Sequence, residues 1–210
     1  HPDQGGNVML QVYGSARSRG IRTLWMVMEL GIPYEHHDLA PRSPGTRTPE
    51  FLAMNGNARV PVINDDGFIL SESMAINLYL AKKHNSPLYP KDPKNEALTW
   101  QWSLWETDRL DRQTVNYVNH TSGLPEAERN KAVADAAWAE IVPAMGVLDT
   151  VLGKVKWLAG DQFSVADLNV ASALYRGLFM DLGQWPNVKE WLQRCWDRPA
   201  AKKARAMRES

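Results

Sequence analysis

Ala58-Arg59-Val60-Pro61-Val62-Ile63, followed shortly by Ser71-Glu72-Ser73-Met74-Ala75-Ile76, decides the fold of this chain. The first piece reads as an edge strand entered through a proline. The second reads as a strand end that turns straight into a helix, with a carboxylate and a hydroxyl at its start. Between them Asp65-Asp66-Gly67 is a hairpin turn signal. A proline at the first position of a strand costs the ladder little, and an X-Pro bond is the one place where a cis peptide is cheap. A cis Val60-Pro61 bond would turn the Val60 N–H and C=O outward, where they can pair with a peptide-like ligand. The Ser73 hydroxyl and the first N–H groups of the helix make an anion site. Together these features describe a pocket for a small, extended peptide that carries carboxylates.

Outward from that stretch the pattern is regular. Met9 to Tyr13 alternates as a strand, and Gly14 to Arg17 is a short polar loop. Ser18 is placed to cap a helix in which Ile21, Leu24, Trp25 and Met28 recur at helical spacing, with Gly31 as its C′ residue. Tyr34 to Leu39 is a second strand. Thr48-Pro49-Glu50 opens a short helix, with Thr48 as N-cap and Pro49 at N1. The Pro61 strand, the Phe68 to Leu70 strand and a helix from about Glu72 to His84 complete the order βαβαββα. That order predicts a thioredoxin-like domain over residues 8–84. Residues 85–93, Asn-Ser-Pro-Leu-Tyr-Pro-Lys-Asp-Pro, read as a linker. Residues 94–210 read as an all-α domain with helices near 94–120, 125–152, 164–179, 187–196 and 199–207.

The bulk composition narrows the function classes. Lys+Arg and Asp+Glu both number 24, so formal net charge is zero, and no basic face for nucleic acid or an anionic membrane is indicated. The near-neutral charge is compatible with a dimer. One cysteine, Cys195, excludes an intramolecular disulfide and a cysteine-based metal cluster, with the cytoplasm as the default compartment. His36, His37, His84 and His120 have no metal-ligand spacing, so no metal is expected. No apolar run approaches the roughly 20 residues of a spanning helix, and no signal peptide is visible. The opening His1-Pro2-Asp3-Gln4-Gly5-Gly6-Asn7 reads as a tag remnant or trimmed tail.

A third motif lies at Gly160-Asp161-Gln162-Phe163-Ser164-Val165-Ala166-Asp167. Ser164 is placed as N-cap and Asp167 at N3, a capping box with Asp in the usual Glu position, and Phe163 and Leu168 are spaced for a hydrophobic staple. The plain reading, a strong helix start that matters for folding, is preferred to a catalytic Asp167. These three motifs, in this order, resemble the cytosolic glutathione transferases of the serine type, and the likeness covers nearly the whole chain.

The resemblance implies a homodimeric enzyme that binds glutathione as a cosubstrate, not as a permanent cofactor, and joins its sulfur to a small electrophile. It implies that Val60, ahead of Pro61, pairs with the cysteinyl part through its main chain. Ser73 and the helix N–H groups would hold the γ-glutamyl carboxylate and Glu72 its amine, and Arg59 or Arg47 would meet the glycine carboxylate. A thiol of pKa about 8.5 must become a thiolate, which a hydroxyl donor and a helix N-terminus both stabilise. Ser18, four residues before Arg22, has the spacing of the catalytic serine in several serine-type classes. Ser15 is the rival, and Ser18 is favoured. Tyr13 reads as strand packing, and Cys195 as a buried small hydrophobe.

The helical domain is expected to form the electrophile site, with Trp100, Trp105, Arg109 and Tyr117 as its candidates and the last three preferred. Trp105, Arg109 and Arg112 recur at spacings of four and three, which is one helix face; a core role for the aromatic residues is the competing reading. Two alternatives remain open. One is a glutathione-dependent disulfide reductase or peroxidase on the same scaffold. The other is a glutathione-binding or partner-binding module without catalysis.

Overall fold

The computed structural model describes residues 8–210. His1–Asn7, read above as a tag remnant or trimmed tail, lie outside the described residues. The chain forms two compact units, one comprising the residues up to Ser86 together with Pro199–Ser210, the other Pro87–Arg198.

The first unit contains β1 (Leu10–Tyr13), α1 (Gly20–Leu30), β2 (Tyr34–His37), α2 (Pro49–Met54), β3 (Val62–Asp65), β4 (Phe68–Ser71) and α3 (Ser73–Lys83). The order is the expected βαβαββα. The sheet runs β2-β1-β3-β4, with β1 and β2 parallel and the other pairs antiparallel. The strand after Pro61, expected at an edge, is internal, which the proline permits because it precedes the first paired residue, Val62, and takes no ladder bond. A helical crossover joins the parallel pair and a two-residue turn the antiparallel hairpin, as their connection lengths require. In that turn Asp66 has φ 53° and Gly67 φ 88°, the left-handed pair that a right-twisted hairpin needs. The Gly67 N–H donates to Asn64 Oδ1 at 2.8 Å. Thr48 caps α2 by accepting from the Phe51 N–H at 3.2 Å, and Gly31 ends α1 at φ 63°. Val12, Leu24, Trp25, Val62, Ile63, Ile76 and Leu80 are fully buried in the core of this unit.

The hairpin is tied to α3 through Asp65, whose Oδ2 accepts from the Tyr79 hydroxyl at 2.6 Å and from Lys83 Nζ. Burial alone would raise the Asp65 carboxyl, but the bonds from Lys83 and Tyr79 outweigh it and hold it below its usual value. A depressed carboxylate contributes stability above its unfolded pKa and loses it as pH falls through the folded one. Asp65→Asn is therefore expected to cost about 1 kcal/mol at neutral pH, since Lys83 is partly exposed, and progressively less in acid. Urea denaturation at neutral and acidic pH checks this; an equal loss at both would refute it.

The last helix, α9 (Pro199–Glu209), belongs by contact to this first unit, where it packs on α1. The sequence reading placed it in a helical domain of residues 94–210. Its partner explains the difference: Ala200, Ala201 and Ala204 are its buried face, and small side chains suit close approach to a neighbouring helix. Nothing in the local pattern names which helix that is.

The second unit contains α4 (Pro93–Glu106), α5 (Arg112–Val118), α6 (Lys131–Leu152), α7 (Val165–Ala173) and α8 (Pro186–Trp196). The single helix expected over 94–120 is interrupted by a wide π turn at Thr107–Asp111, and a second follows α5 at Asn119–Gly123. The helix expected from residue 125 begins later, because Asn130 is its cap: Oδ1 accepts from the Ala132 N–H at 2.9 Å. The preceding loop is held instead by Arg129, which donates to Leu124 O at 2.7 Å and to Ser122 O at 3.0 Å. The helix expected over 164–179 ends at Ala173, and Tyr175–Phe179 is a 3-10 turn.

The capping box at α7 is present in both directions. Asp167, fully buried, accepts through Oδ2 from the Ser164 N–H at 3.0 Å and from Ser164 Oγ at 3.3 Å, and through Oδ1 from the Leu158 N–H at 3.0 Å and Trp191 Nε1 at 2.9 Å. One carboxylate thus joins the start of α7, the segment before it and α8. No helix among the described residues is long and apolar enough to cross a membrane.

Candidate active site

The register of the sheet gathers the predicted residues of the first unit. His37 pairs with Tyr13, Tyr13 with Val62 and Val62 with Ser71, so these four form one row across the sheet. β1 and β2 run toward this row, β3 starts from it and β4 ends at it. The loop after β1 with Ser15 and Ser18, the Val60-Pro61 approach to β3, the Glu72-Ser73 start of α3 and the segment after β2 that leads to Arg47 therefore all leave the same edge. The Val60-Pro61 bond is cis.

Two glycines let these segments close on each other. A side chain on Gly14, at φ 145°, would lie 3.3 Å from Val60 Cβ and 3.4 Å from Pro61 Cα. At Gly20 a Cβ would lie 2.6 Å from Ser15 O, so only glycine permits α1 to start against that carbonyl. The loop is also stitched to the strand beside it. Gly14 N–H donates to His37 O at 3.0 Å and Ser15 N–H to Leu39 O at 2.9 Å. His36 Nε2 donates to Gly14 O at 2.7 Å, since a carbonyl only accepts. Tyr13 stacks on His37, with ring centroids 4.4 Å apart and planes at 9°, which is the packing role expected of it.

Ser18 lies one residue outside the position predicted for it. α1 begins at Gly20 with Arg19 at the cap, because a tight turn comes first: Ser18 N–H donates to Ser15 O at 3.0 Å and Ile21 N–H to Ser18 O at 3.2 Å. Ser18 still serves the helix start, its Oγ accepting from the Gly20 N–H at 3.1 Å. Its own proton goes to Ser15 O at 2.7 Å. Ser15 Oγ accepts from the Arg17 N–H at 3.2 Å.

At the start of α3, Glu72 is exposed and has φ 72° with ψ 109°, a conformation L residues rarely adopt and one that costs about 1–3 kcal/mol. It projects its side chain from the helix N-terminus without capping it. Ser73 is buried, and its Oγ accepts from Arg22 Nη1 at 3.2 Å, which leaves its own proton to donate to an anion. Arg22 is itself buried at 4% exposure, and its carbonyl accepts from Asn77 Nδ2 at 3.2 Å. A buried guanidinium beside the first turn of a helix adds to the positive end of that helix.

Arg59 and Arg47 are both exposed. Arg59 is placed by a neighbour that sequence reading passed over: buried Asn55 donates through Nδ2 to Arg59 O at 2.9 Å and accepts from the Asn57 N–H at 3.1 Å. An Asn at the end of a short helix, ahead of Gly56, was the available signal. In the sequence Arg22 serves only as a spacing mark for the serines, and its contact with Ser73 spans 51 residues, beyond any local pattern.

The matches to known proteins fall on these same segments. Residues 18–83 match the model of the glutathione S-transferase N-terminal domain, and residues 111–199 that of the C-terminal domain. Glutathione S-transferase GstB of Escherichia coli strain K12 is 34% identical over 203 residues, covering 93% of this chain and 97% of that one. The chain belongs to the glutathione S-transferase family. Another relative, glutathione S-transferase F13 of Arabidopsis thaliana, is 31% identical over 73% of this chain and 75% of its own. Among solved structures, the theta class glutathione S-transferase of the citrus canker pathogen Xanthomonas axonopodis pv. citri, with glutathione bound, superimposes with a TM-score of 0.86 at 29% identity. It covers 93% of this chain and 96% of its own.

In this glutathione S-transferase the electrophile candidates are separated within the helical unit. Trp105 packs edge-on against Trp102, with centroids 5.1 Å apart. Arg109 is exposed and pairs with its neighbour Asp108 at 3.1 Å. The π turn at Thr107–Asp111 breaks the helical phase between them, so the four-and-three spacing no longer fixes one face. Tyr117 packs on Trp138 and lines a cavity of about 400 Å³ with His120, Arg129 and Lys131; Trp105 and Arg109 do not line that cavity. Cys195 is fully buried on α8, as its sequence context suggested.

The strained Glu72 offers a direct test. Glu72→Gly is expected to leave stability unchanged or raise it, because glycine occupies φ 72° without strain. The same change removes the carboxylate proposed to hold the ligand amine, so the KM for glutathione should rise about tenfold, the loss of one charge-assisted hydrogen bond. A fall in both stability and affinity would mean that Glu72 is structural.

Proposed function

We propose that glutathione lies extended along the sheet edge marked by Tyr13, Val62 and Ser71. Val60 pairs with its cysteinyl residue through the main chain, next to Pro61. Ser73 and the first N–H groups of α3 receive the γ-glutamyl carboxylate, and Glu72 the amine. Arg59 or Arg47 meets the glycine carboxylate. The observation that carries this reading is the single row of the sheet from which all these segments leave, with Glu72 held at φ 72° at its end.

The reaction is conjugation, glutathione being consumed as a cosubstrate. The Ser18 hydroxyl turns from Ser15 O to the sulfur, a rotation about one side-chain bond, and stabilises the thiolate; Ser15 is the second candidate. The thiol proton leaves to solvent. The thiolate then attacks the electrophilic carbon, a C–S bond forms, and the leaving group departs with its electron pair. Lowering the thiol pKa by about two units, from about 8.5, converts a minor thiolate fraction at neutral pH into the major one.

The electrophile is assigned to the helical unit, where Tyr117 lines the cavity and is the proposed contact residue, Trp105 and Arg109 remaining candidates outside it. The enzyme is proposed to act as a cytoplasmic homodimer. The test is the ultraviolet absorbance of bound glutathione against pH. A thiolate band that persists well below pH 8.5 supports the reading. Saturable binding without that band would favour a binding module, and absence of binding would remove the site assignment.

A further inference from the structure

α9 reaches the loop that carries the two serines. Arg208 Nη1 donates to Ala16 O at 2.9 Å and approaches Ser18 O at 3.4 Å. Arg17 Nη2 in turn donates to the backbone oxygen of Ser210. The contacts therefore run both ways between the 15–18 turn and the end of α9, across more than 190 residues of sequence. Arg208 is half-buried and Ala16 is buried.

We propose that Arg208 is a positioning residue for thiolate formation, holding the Ser15–Ser18 turn in the geometry that presents its hydroxyl to the sulfur. The inference rests on the reading that a serine of this turn is the thiol's donor. Its physical basis is the competition for one proton. Ser18 Oγ donates to Ser15 O, so the turn's own carbonyls compete with the sulfur for that hydrogen. A guanidinium that engages Ala16 O and Ser18 O fixes the Ala16–Arg17 and Ser18–Arg19 peptide groups, on either side of Ser18's own amide, and prevents the turn from rotating further acceptors toward the hydroxyl. It also sets a permanent positive charge against a turn where negative charge develops. Arg208 touches neither the sulfur nor the electrophile in this account; it acts through the turn.

The experiment measures the thiol pKa of bound glutathione by ultraviolet titration, kcat and KM for glutathione, and affinity for S-methylglutathione, which has no thiol. The full chain is used as wild type, Arg208→Gln, Arg208→Lys, Ser18→Ala, Ser15→Ala and Lys203→Gln, the last an exposed control on the same helix. Arg208→Gln is expected to raise the bound thiol pKa by about one unit and lower kcat near neutral pH by up to about tenfold. KM and S-methylglutathione affinity should stay near wild type, because the γ-glutamyl contacts lie on α3. Arg208→Lys keeps the charge but not the fork and should fall between the two; it also serves if the glutamine variant does not fold. Lys203→Gln should match wild type.

An unchanged thiol pKa in both Arg208 variants, alongside a raised one in a serine variant, would overturn the positioning role and leave the serine reading intact. Unchanged values in both serine variants would overturn the serine reading and the proposal with it.

Discussion

Asp167→Ala is expected to lower the melting temperature of this protein by about 10 °C or more, the largest stability loss of any single substitution considered. The carboxylate is the shared acceptor of two backbone N–H groups, a hydroxyl and an indole N–H, all buried. Alanine leaves the N–H donors without an acceptor, at about 1–3 kcal/mol each. It also removes a buried charge that is costly to desolvate, so the net loss is smaller than the sum, roughly 3–5 kcal/mol. Asp167→Asn keeps one acceptor oxygen but turns an NH₂ toward donors, and should lose part of this. Thermal melts followed by circular dichroism and tryptophan fluorescence decide the matter; a shift below about 3 °C would show that the capping box is replaceable.

The same residue gives a pH signature. Burial pushes the Asp167 carboxyl up to about 6, against the lowering effect of its bonds from Trp191, Leu158 and Ser164. Because the folded value lies above the unfolded one, folding takes up a proton between about pH 4 and pH 6. Its contribution to stability is therefore greatest below pH 4, declines as pH rises through 6, and is flat beyond. The variant should lack that declining segment of the stability profile.

Ser18→Ala is expected to raise the bound thiol pKa by about one to two units and to lower kcat/KM by about 10- to 100-fold near pH 6.5. The deficit should shrink toward alkaline pH, where the thiol ionises without assistance. A full pH–rate profile for Ser18→Ala and Ser15→Ala reads this directly. Loss confined to Ser15→Ala would move the donor to Ser15, whose oxygen accepts from the Arg17 N–H and makes no donated bond among the described residues. No loss in either would leave the N-terminus of α1 as the stabilising group.

Some features were legible because their physics is local. A two-residue turn with Asp-Gly dictates a hairpin whatever surrounds it. Thr48, Gly31 and Ser164 mark helix ends because side-chain oxygens and a left-handed glycine satisfy terminal backbone groups within three or four residues. The Glu72-Ser73 pair was legible because a strand end and a helix start meet there. Other features escaped because their causes are distant. The π turns in the long helical stretch leave no mark in hydrophobic spacing. Asn130 is hidden as a cap in the sequence because Pro125 and the acidic residues after it already resemble a helix start.

The sequence by itself determined the element order, the hairpin, the helix ends at Thr48, Gly31 and Ser164 and the identity of the residues at the sheet edge, since each follows from neighbours along the chain. Only the tertiary structure decided that Arg22 supports Ser73, that Asn55 holds the Arg59 carbonyl, that α9 packs on α1 and that Arg208 grips the serine turn. Those contacts join residues up to 192 positions apart, and their geometry exists only once the sheet has set which loops share an edge.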